Sequence, residues 1–476
     1  MNIFITGATG FIGGALCHRL MRDGHTLTAW VRDTKSARTQ LERSIELVST
    51  SDRSGLLDAM RRADAVVNLA GAPVVGKRWS KGYKDTLRTS RIGVTKRLVS
   101  AMNEVGDDAP RVFVSGSAVG FYGLNAAEVD EDSSAGDDFL AQLTVDWETA
   151  AADAAAIGCR VVLLRTGIVL GAEGGALQKM LPPFRLGAGG RIGSGRQGMA
   201  WIHHADIVEA IVFAIENDAV EGAINGTAPN PVSNAEFTKA LASQLNRPAL
   251  IPVPPLALKA LFGEGAQPML GGQFARPTRL EALGFEFAFR TVEDALRDIL
   301  DNGDVEIGGA TDTPKSQYLD KRGATYRLRT EVTLQQSLDD VFSFFSRAEN
   351  LGILTPPHMS FDILTPPAGD TETGDVIDYR ITLGPIPMNW QTEIASFVPG
   401  SHFVDVQLRG PYRSWLHEHR FIAGEDQGQT TMLDVVHYRP PLGILGRIVH
   451  WMFIRHELRR IFSYRRQVVR FRFGTT

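Results

Sequence analysis

The residues of this sequence with the clearest chemical meaning are three glycines near the N-terminus. Gly7, Gly10 and Gly13 follow the apolar run 3–5, which is typical of a buried parallel strand, and they open a helical pattern. Gly7 permits a tight turn, Gly10 lets a pyrophosphate approach the main chain, and Gly13 lets the helix pack close to the strand. A second strand at 26–31 completes a strand–helix–strand unit. The pattern predicts a dinucleotide-binding turn, and a glycine-rich structural turn is the alternative.

The end of the second strand indicates which dinucleotide binds. An acid near this position would bind the ribose 2′-hydroxyl of NAD, but Val31 occupies it. The next residue, Arg32, can make paired, charge-assisted hydrogen bonds to a 2′-phosphate. We therefore predict NADP as the cofactor in preference to NAD. The alternative is that Arg32 is a surface residue that starts the next loop.

Strands and helices must hold these residues in place, and the first 300 residues alternate between the two patterns. Short apolar runs at 65–69, 111–115 and 160–165 are separated by segments of helix length. This order predicts an α/β domain with a Rossmann-type, doubly wound parallel sheet. A glycine-ended turn, 68–71, follows one of the strands at the carboxyl edge, where open α/β sheets bind ligands. We expect this turn to border the cofactor.

Nine glycines change the character of residues 171–204. They surround the run 181–184, and the segment shows little repeating apolar period. Long glycine-dense insertions in compact domains are usually functional. We predict a substrate lid here, and a mobile connection is the alternative.

The polar stretch 301–324 has the composition of an interdomain linker, which leaves 325–476 for a second domain. An alternating strand opens that domain, and a helix capped by Ser337, five further strands and a long terminal helix follow, which predicts an α+β fold. His417 and His419 share one strand face, but two imidazoles without a nearby acid or cysteine are weak evidence, so we predict no metal site. Four aromatic side chains could line an apolar cavity or only pack the core: Phe344, Trp390, Trp415 and Phe421.

The terminal helix is strongly basic. Eight arginines lie between Arg447 and Arg472, against the single acid Glu457. We interpret them as the solvated face of a helix that packs on the sheet. Contact with an anionic membrane or an acidic partner is the alternative.

Composition excludes several functions. The net charge of −4 argues against a nucleic-acid partner. Two cysteines, Cys17 and Cys159, give neither a disulfide framework nor a cysteine metal site, which favours the reducing cytoplasm. The N-terminus enters a predicted strand at residue 2, so we expect no secretion signal. The most apolar late stretch, 442–454, is shorter than the roughly 20 residues of a transmembrane helix.

Seven segments of the first 300 residues together resemble the atypical extended short-chain dehydrogenase/reductases, labelled epimerase family or sugar-nucleotide epimerase-like proteins. They are TGATGFIG (6–13), NLAG (68–71), RW (78–79), SGSAVGFYG (115–123), LRTG (164–167), LPPF (181–184) and WIH (201–203). The resemblance implies an NAD(P)-binding domain over 1–300 that acts on a small-molecule substrate. The oligomeric state is left open, with a homodimer as one alternative. The implied cofactor-binding residues are Gly7, Thr9, Gly10, Phe11, Ile12, Gly13, Arg32, Leu69, Ala70, Gly71, Ser115, Thr166 and Gly167.

The same resemblance places Ser117 at the family's catalytic serine, whose hydroxyl would hydrogen-bond a substrate carbonyl or alcohol. Members generally also use a tyrosine activated by a lysine four residues later, because an unperturbed phenol is a poor base at neutral pH. Here Leu140 and Thr144 stand roughly where that pair would be. Tyr122 and His203 are substitute acids, with core packing as the alternative for each. We therefore assign no general base.

The second domain resembles the helix-grip fold of START-like and polyketide-cyclase-type (SRPBCC) ligand-binding proteins in the order of its elements. Two functions follow from the two resemblances. The first is an NADP-dependent oxidoreductase or epimerase for a small polar substrate, such as a nucleotide sugar, with an apolar ligand in the second domain. The second is an NADP-responsive sensor that has lost catalysis, for which the missing Tyr–Lys pair is the main support.

Overall fold

The N-terminal strand of the computed structural model enters a sheet, as its apolar run predicts. The structure describes residues 1–124, 127–300, 305–310, 323–365, 371–383, 386–424 and 428–475. The strands described before residue 301 are β1 Asn2–Thr6, β2 Thr26–Val31, β3 Glu46–Ser49, β4 Ala65–Asn68, β5 Val112–Ala118, β6 Glu128–Val129, β7 Arg160–Thr166, β8 Ile168–Leu170, β9 Gly198–Met199, β10 Trp201–His203, β11 Gly222–Gly226, β12 Val232–Ser233 and β13 Phe274–Ala275.

The main sheet has the order β11-β7-β5-β4-β1-β2-β3, and its pairs are parallel. β1 lies between β4 and β2, with Ile3 opposite Ala65 on one side and Leu27 on the other. Phe4 and Ile5 are fully buried, as expected for a strand covered on both faces. The predicted Rossmann-type, doubly wound parallel sheet is confirmed.

Helices cover this sheet, and their apolar faces form its cores. In one core Leu56 and Met60 pack with Leu98 and Met102 on the same side of the sheet. The helices described before residue 301 are α1 Phe11–Arg22, α2 Thr34–Arg38, α3 Arg53–Arg62, α4 Lys81–Arg88, α5 Val94–Val105, α6 Phe139–Ala152, α7 Gly175–Arg185, α8 His204–Glu216, α9 Asn234–Gln244, α10 Pro255–Phe262, α11 Gln267–Leu270, α12 Thr278–Ala282 and α13 Val292–Leu300.

The glycine-rich segment 171–204 is more regular than its sequence predicts. It contains α7, β9 and β10, and α7 buries Leu177, Leu181 and Phe184. These three residues have the i, i+4, i+7 spacing of a helix face, but two prolines inside α7 and the flanking glycines obscure the period. The expectation of little repeating apolar period was therefore wrong for α7, and the substrate lid stays a prediction.

The chain forms two compact units, Met1–Thr34 with Ser44–Asp301, and Lys35–Arg43 with Asn302–Thr476. The second unit contains an antiparallel sheet with the order β14-β15-β21-β20-β19-β18-β17-β16. The predicted strands of the second domain are present, and the α+β fold class is confirmed. The strands are β14 Val305–Gly309, β15 Tyr326–Leu334, β16 Asp362–Thr365, β17 Val376–Leu383, β18 Ile386–Val398, β19 His402–Arg409, β20 Ser414–Ala423 and β21 Thr430–Arg439.

One strand of this sheet lies inside the predicted linker 301–324. β14 pairs with β15, with Val305 opposite Thr330 and Gly309 opposite Tyr326. The linker interpretation is therefore wrong for 305–309, and residues 301–304 and 311–322 lie outside the described residues. Little in the sequence indicates this strand, because β14 is five residues long and ends in two glycines.

The helices of the second unit cap and cross its sheet. α14, Leu338–Phe345, begins after Ser337, whose side chain accepts from the backbone N–H of Asp340, as predicted. α15, Gly443–Val449, continues through a π-helical turn, His450–Ile454, into α16, Arg455–Phe473. Among the described residues, no helix is both long enough and apolar enough to cross a membrane.

Candidate functional site

The turn between β1 and α1 has a shape that only glycine permits at two positions. Gly7 has a φ of 71°, and a Cβ there would lie 2.9 Å from the backbone of Leu69. A Cβ at Gly13 would lie 2.2 Å from the carbonyl oxygen of Gly7, so the helix can approach the turn only without one. No side chain caps α1 at Gly10, which leaves backbone N–H groups of its first turn for a bound anion.

Three polar side chains hold the ends of neighbouring strands in register beside this turn. Thr6 Oγ1 donates to Asn68 Oδ1 at 2.7 Å and accepts from the backbone N–H of Ala70 at 3.1 Å. Asn68 Nδ2 in turn donates to Thr95 Oγ1 on α5 at 2.9 Å. These bonds fix the course of residues 69–71, the turn predicted to border the cofactor.

Arg91 lies next to this turn, although no motif in the sequence indicates it as a site residue. It belongs to a π-helical turn, Thr89–Gly93, between α4 and α5, and such turns are frequent at functional sites. Its Nη2 donates to the carbonyl of Ala72 at 2.9 Å, and a Cβ at Gly71 would lie 3.1 Å from its Cζ. Burial lowers the pKa of Arg91 to about 10, so it stays charged at neutral pH. Among the described residues, no carboxylate pairs with it.

Phe11, predicted to touch the cofactor, has a packing role in this structure. Its ring stacks on His204 with the centroids 3.9 Å apart, and His204 Nε2 lies 2.9 Å from the Phe11 carbonyl oxygen. A Cβ at Gly174 would lie 2.3 Å from the same ring, which explains part of the glycine enrichment in 171–204. Burial, with His203 adjacent, lowers the pKa of His204 to about 3.

The other predicted cofactor residues differ in accessibility. Thr9 and Arg32 are exposed, and Ile12 and Thr166 are half-buried. Ser115 is fully buried, and its hydroxyl donates to the carbonyl of Gly116 at 3.3 Å. A Cβ at Gly167 would lie 2.3 Å from the carbonyl oxygen of Ala200, so this glycine serves chain packing.

Arg32 directly follows β2 and points its charge to solvent. Among the described residues it has no ion pair or hydrogen-bond partner for its guanidinium. Its neighbour Val31 is buried at the end of the strand. A free guanidinium at this position suits a 2′-phosphate, although the position alone also fits a surface arginine.

Ser117 is the first residue in a buried chain of hydrogen-bonded side chains that continues through Glu148 to Arg165. Asn68 and Ser115 stand opposite each other on β4 and β5, so Ser117 extends beyond them at the carboxyl edge. Its hydroxyl donates to Glu148 Oε1 at 2.5 Å. Arg165 holds both oxygens of that carboxylate, with Nε 2.8 Å from Oε1 and Nη2 2.9 Å from Oε2.

Glu148 is a second candidate site residue, after Arg91, that was not predicted from the sequence. It follows Leu140 and Thr144 at intervals of four residues, so the three share one face of α6, and all three are buried. Leu140 and Thr144 stand where the resemblance would place the tyrosine and lysine. The acid one turn further along that face reaches Ser117 instead. The four-residue spacing from Leu140 to Thr144, continued by one more step, leads to Glu148.

Tyr122 is joined to this chain through Arg165 and not through Ser117. Its hydroxyl donates to Asn225 Oδ1 at 2.7 Å and accepts from Arg165 Nη1 at 3.0 Å. Burial raises the pKa of the Tyr122 phenol, although Arg165 opposes the shift. With both partners in the protein and its proton held more tightly, Tyr122 is poorly suited to accept a proton from a substrate.

His203 caps a helix in this structure. Its Nδ1 accepts from the backbone N–H of Ala205 at 3.0 Å, its ring lies 3.8 Å from that of Phe289, and its Nε2 is 3.3 Å from Asp298 Oδ2. Asp206, in the first turn of the same helix, accepts from backbone N–H groups at 288 and 289. These contacts give His203 a structural role and do not join it to Ser117.

The second unit contains a cavity of about 910 Å³ between its sheet and the terminal helices. Trp390 and Trp415 line it, as expected for two of the four predicted aromatic residues. Phe344 and Phe421 instead pack in a separate core with α14. Asp405, His417 and His419 also line the cavity, so the premise that no acid lies near these imidazoles was wrong.

Comparison with known proteins relates the first unit to a family. The family described as NAD dependent epimerase/dehydratase matches residues 3–225, and a domain of unknown function, DUF1731, matches residues 253–299. The "Epimerase family protein SDR39U1 homolog, chloroplastic" of Arabidopsis thaliana is 44% identical over 304 residues, which are 63% of this chain and 87% of that protein. The chain belongs to the epimerase family. The resemblance stated for residues 1–300 is thereby confirmed.

Two solved structures of epimerase-like proteins are similar to this chain. The human epimerase family protein SDR39U1 (isoform2), crystallised with NADPH, is 35% identical with a TM-score of 0.56 and covers 63% of this chain and 100% of its own. A protein described as the nucleoside-diphosphate sugar epimerase from Corynebacterium glutamicum is 32% identical with a TM-score of 0.50, and the match covers 63% of this chain and 58% of that one. The helix-grip resemblance of the second unit stays a prediction.

Proposed function

We propose that the first unit binds NADP(H) at the carboxyl edge of its sheet and catalyses hydride transfer with a small polar substrate. The single observation that carries this proposal is the chain Ser117–Glu148–Arg165, which ends with a serine hydroxyl at that edge. A hydroxyl bonded to an ionisable carboxylate can exchange protons with a substrate. It supplies the function for which the family generally uses a tyrosine and a lysine.

The residues of the glycine turn fit a dinucleotide. Gly7, Gly10 and Gly13 leave space where side chains would block a pyrophosphate or the helix behind it, and the N–H groups at the start of α1 face that space. Arg32 would hold the 2′-phosphate of NADP, and Arg91 would hold a second negative charge near residues 69–71. The NADPH bound to the human relative supports this choice of cofactor. A bound nicotinamide supplies the hydride donor or acceptor.

Ser117 and Glu148 move the proton in this proposal. Ser117 Oγ accepts the proton of a substrate alcohol while its own proton passes to Glu148 Oε1. In the opposite direction Glu148 returns the proton through Ser117 to the oxygen of a carbonyl substrate. Arg165 holds the carboxylate by two hydrogen bonds and so fixes its position beside Ser117. Ser117 is the catalytic residue here, and Glu148 and Arg165 act through it.

The substrate class in this proposal is a nucleotide sugar or a similar polar carbonyl or alcohol. The Corynebacterium relative supports it, since that protein is described as a nucleoside-diphosphate sugar epimerase. Arg91 offers a half-buried positive charge that a phosphate of such a substrate could share with the cofactor.

We further propose that the second unit binds an apolar ligand in its cavity, in the manner of the START-like proteins that it resembles. A volume of about 910 Å³ is within the range of small-molecule sites. The indole N–H of Trp390 lines this cavity and has no hydrogen-bond partner among the described residues, so it can donate to a ligand oxygen. If the first unit does not catalyse, this cavity makes the chain an NADP-responsive sensor of that ligand.

The deciding experiment compares the wild-type chain with Ser117→Ala. NADPH oxidation is followed with a panel of carbonyl compounds and nucleotide sugars, and NADPH affinity is measured by calorimetry. We expect Ser117→Ala to reduce hydride transfer about a hundredfold, as for other single donors aimed at developing charge, and to leave the affinity unchanged. Ser243→Ala, at an exposed serine of α9, is the control.

The outcomes separate the two functions. No NADPH oxidation by the wild type, together with cofactor affinity that changes when apolar ligands bind, replaces the enzyme by the sensor. Equal turnover by wild type and Ser117→Ala removes Ser117 from the reaction.

A further inference from the structure

Strand register brings two imidazoles and two carboxylates together inside the second unit. His417 and His419 are two residues apart on β20, so their side chains share one face. His417 stands opposite Asp405 on β19, and His419 stands opposite Asp434 on β21. The sequence separates these acids from the histidines, and only the pairing of three strands makes them neighbours.

Each imidazole is held between the two carboxylates. His419 Nε2 lies 2.9 Å and His417 Nδ1 3.5 Å from the same oxygen of Asp405, Oδ2. The other two ring nitrogens, His419 Nδ1 and His417 Nε2, lie 2.8 and 3.2 Å from Asp434 Oδ1. Both rings therefore present one nitrogen to each acid. This is the arrangement of metal-binding histidines whose second nitrogen is held by an outer carboxylate.

The charges of the cluster leave it in need of cations. Arg465 Nε lies 3.3 Å from Asp434 Oδ2, and its Nη2 is 3.1 Å from His419 Nδ1. The cluster thus places two carboxylates against one guanidinium, and a divalent cation between Asp405 and the two imidazoles would add positive charge to it.

We propose that Asp405, His417 and His419 bind a divalent transition-metal ion of the zinc or iron class at the polar end of the cavity. Imidazole and carboxylate donors suit these metals. Metal–donor distances of about 2.0–2.2 Å place the donors of a tetrahedral site about 3.4 Å apart, close to the 2.9 and 3.5 Å measured between the Asp405 oxygen and the two imidazoles. The ligand atoms of all three residues lie within 4.8 Å of one another.

The position of this site in the wall of the cavity indicates what the ion would bind. Asp405, His417 and His419 line the cavity together with apolar and aromatic side chains. Three protein donors leave a coordination position for water or for an oxygen of a ligand. The site would therefore select apolar molecules that carry an oxygen donor. This inference is independent of the hydride chemistry proposed for the first unit.

Metal binding is tested on the tag-free, full-length chain after chelation of bound metal. Zn²⁺ is titrated by calorimetry, and Co²⁺ is followed by its visible absorption, which reports imidazole coordination. We expect one tight equivalent in the wild type and at least a hundredfold weaker binding in His417→Ala and His419→Ala. Asp434→Asn should weaken binding about 10- to 100-fold, as for other outer carboxylates.

Two control variants exclude binding elsewhere. His402→Ala removes an imidazole from β19 outside the cluster, and His25→Ala removes a member of the surface group Asp23, His25 and Glu216. Neither should change the tight equivalent. Loss of that equivalent in His25→Ala, or equal Zn²⁺ affinity in wild type and His417→Ala, overturns the proposal.

X-ray absorption at the zinc edge of the wild-type complex gives a result that does not depend on the folding of any variant. Scattering from two imidazole rings in the coordination shell supports the proposed site, whereas oxygen-only coordination contradicts it.

Discussion

Each unit of this protein buries a carboxylate against an arginine, but the two networks end differently. In the first unit Arg165 holds Glu148, which accepts from a serine hydroxyl at the edge of a parallel sheet. In the second unit Arg465 holds Asp434, which contacts two imidazoles inside an antiparallel sheet. A hydroxyl can exchange a proton with a substrate, while imidazoles can also bind a cation. In both units an arginine pairs with the buried acid, but the group beside that acid differs, and this difference decides which chemistry is possible.

The largest expected effect tests whether these networks are energetically separate. Arg165→Met and Arg465→Met each leave a buried carboxylate without its partner, which should destabilise the affected unit by about 3–5 kcal/mol. Native-state hydrogen exchange in increasing urea, read separately for peptides of each unit, measures the loss. Arg61→Met removes an exposed partner of Asp58 and should cost at most about 1 kcal/mol. Loss of protection in both units from either buried variant would show that they unfold as one.

The second prediction concerns the proton. Glu148→Gln keeps a group that can accept from Ser117 but cannot take up its proton, so hydride transfer should fall about a hundredfold. NADPH affinity should not change, because Glu148 acts through Ser117 and not on the cofactor. The double variant with Ser117→Ala should be no slower than either single variant, because the two residues act as a unit. Asp405→Asn, in the other network, is the control, and hydride transfer by Glu148→Gln at the wild-type rate would contradict the relay.

The third prediction separates two positive charges in the first unit. Arg32→Gln should weaken NADPH by about 1.5–3 kcal/mol, the value of a charge-assisted bond, and leave NADH unchanged. Arg91→Gln should weaken both cofactors to the same degree, because it lies by residues 69–71 and away from the 2′-position. Calorimetric titration with both cofactors measures this. Equal losses for NADPH and NADH in Arg32→Gln would show that this residue does not bind the 2′-phosphate.

The smallest effect concerns acid sensitivity of the first unit, which buries the imidazole of His204 against the ring of Phe11. The pKa of His204 is lowered to about 3, so between pH 6.5 and about 3 the unfolded chain holds one more proton than the folded chain. Stability is therefore complete above pH 6.5 and falls by about 1.4 kcal/mol for each pH unit below it. His204→Gln should remove this slope in peptides of the first unit. An unchanged slope would assign the acid sensitivity to other groups.

Local patterns predicted much of the fold, and contacts between distant residues escaped prediction. β2 was predicted to the residue, because most of its residues are β-branched or aromatic. β14 was mistaken for linker, since a short strand with two glycines has almost no pattern of its own. The glycine turn was likewise predicted from the sequence, because its function depends on residues that are close together in the chain.

The two buried networks show where the sequence was insufficient. Ser117 was selected, but its partner Glu148 lies 31 positions later, and no local pattern joins them. His417 and His419 were recognised as one face, while Asp405 and Asp434 reach them only through strand register. Arg91 carries no motif, and its position depends on how a π-helical turn places it beside Gly71. Contacts between side chains of different helices and strands can therefore be identified only in the three-dimensional structure.

Strand order also has a consequence for the synthesis of this protein. β1 lies inside the main sheet, and each later strand of that sheet pairs with a strand that is already made. In the second unit β15 pairs with β21, about a hundred residues later in the chain, with Tyr326 opposite Tyr438. Closing so long a loop is slow, and it waits until β21 has left the ribosome. Newly made chains therefore expose the unpaired edges of β15 and β20, which makes this the stage at which chaperones are most needed.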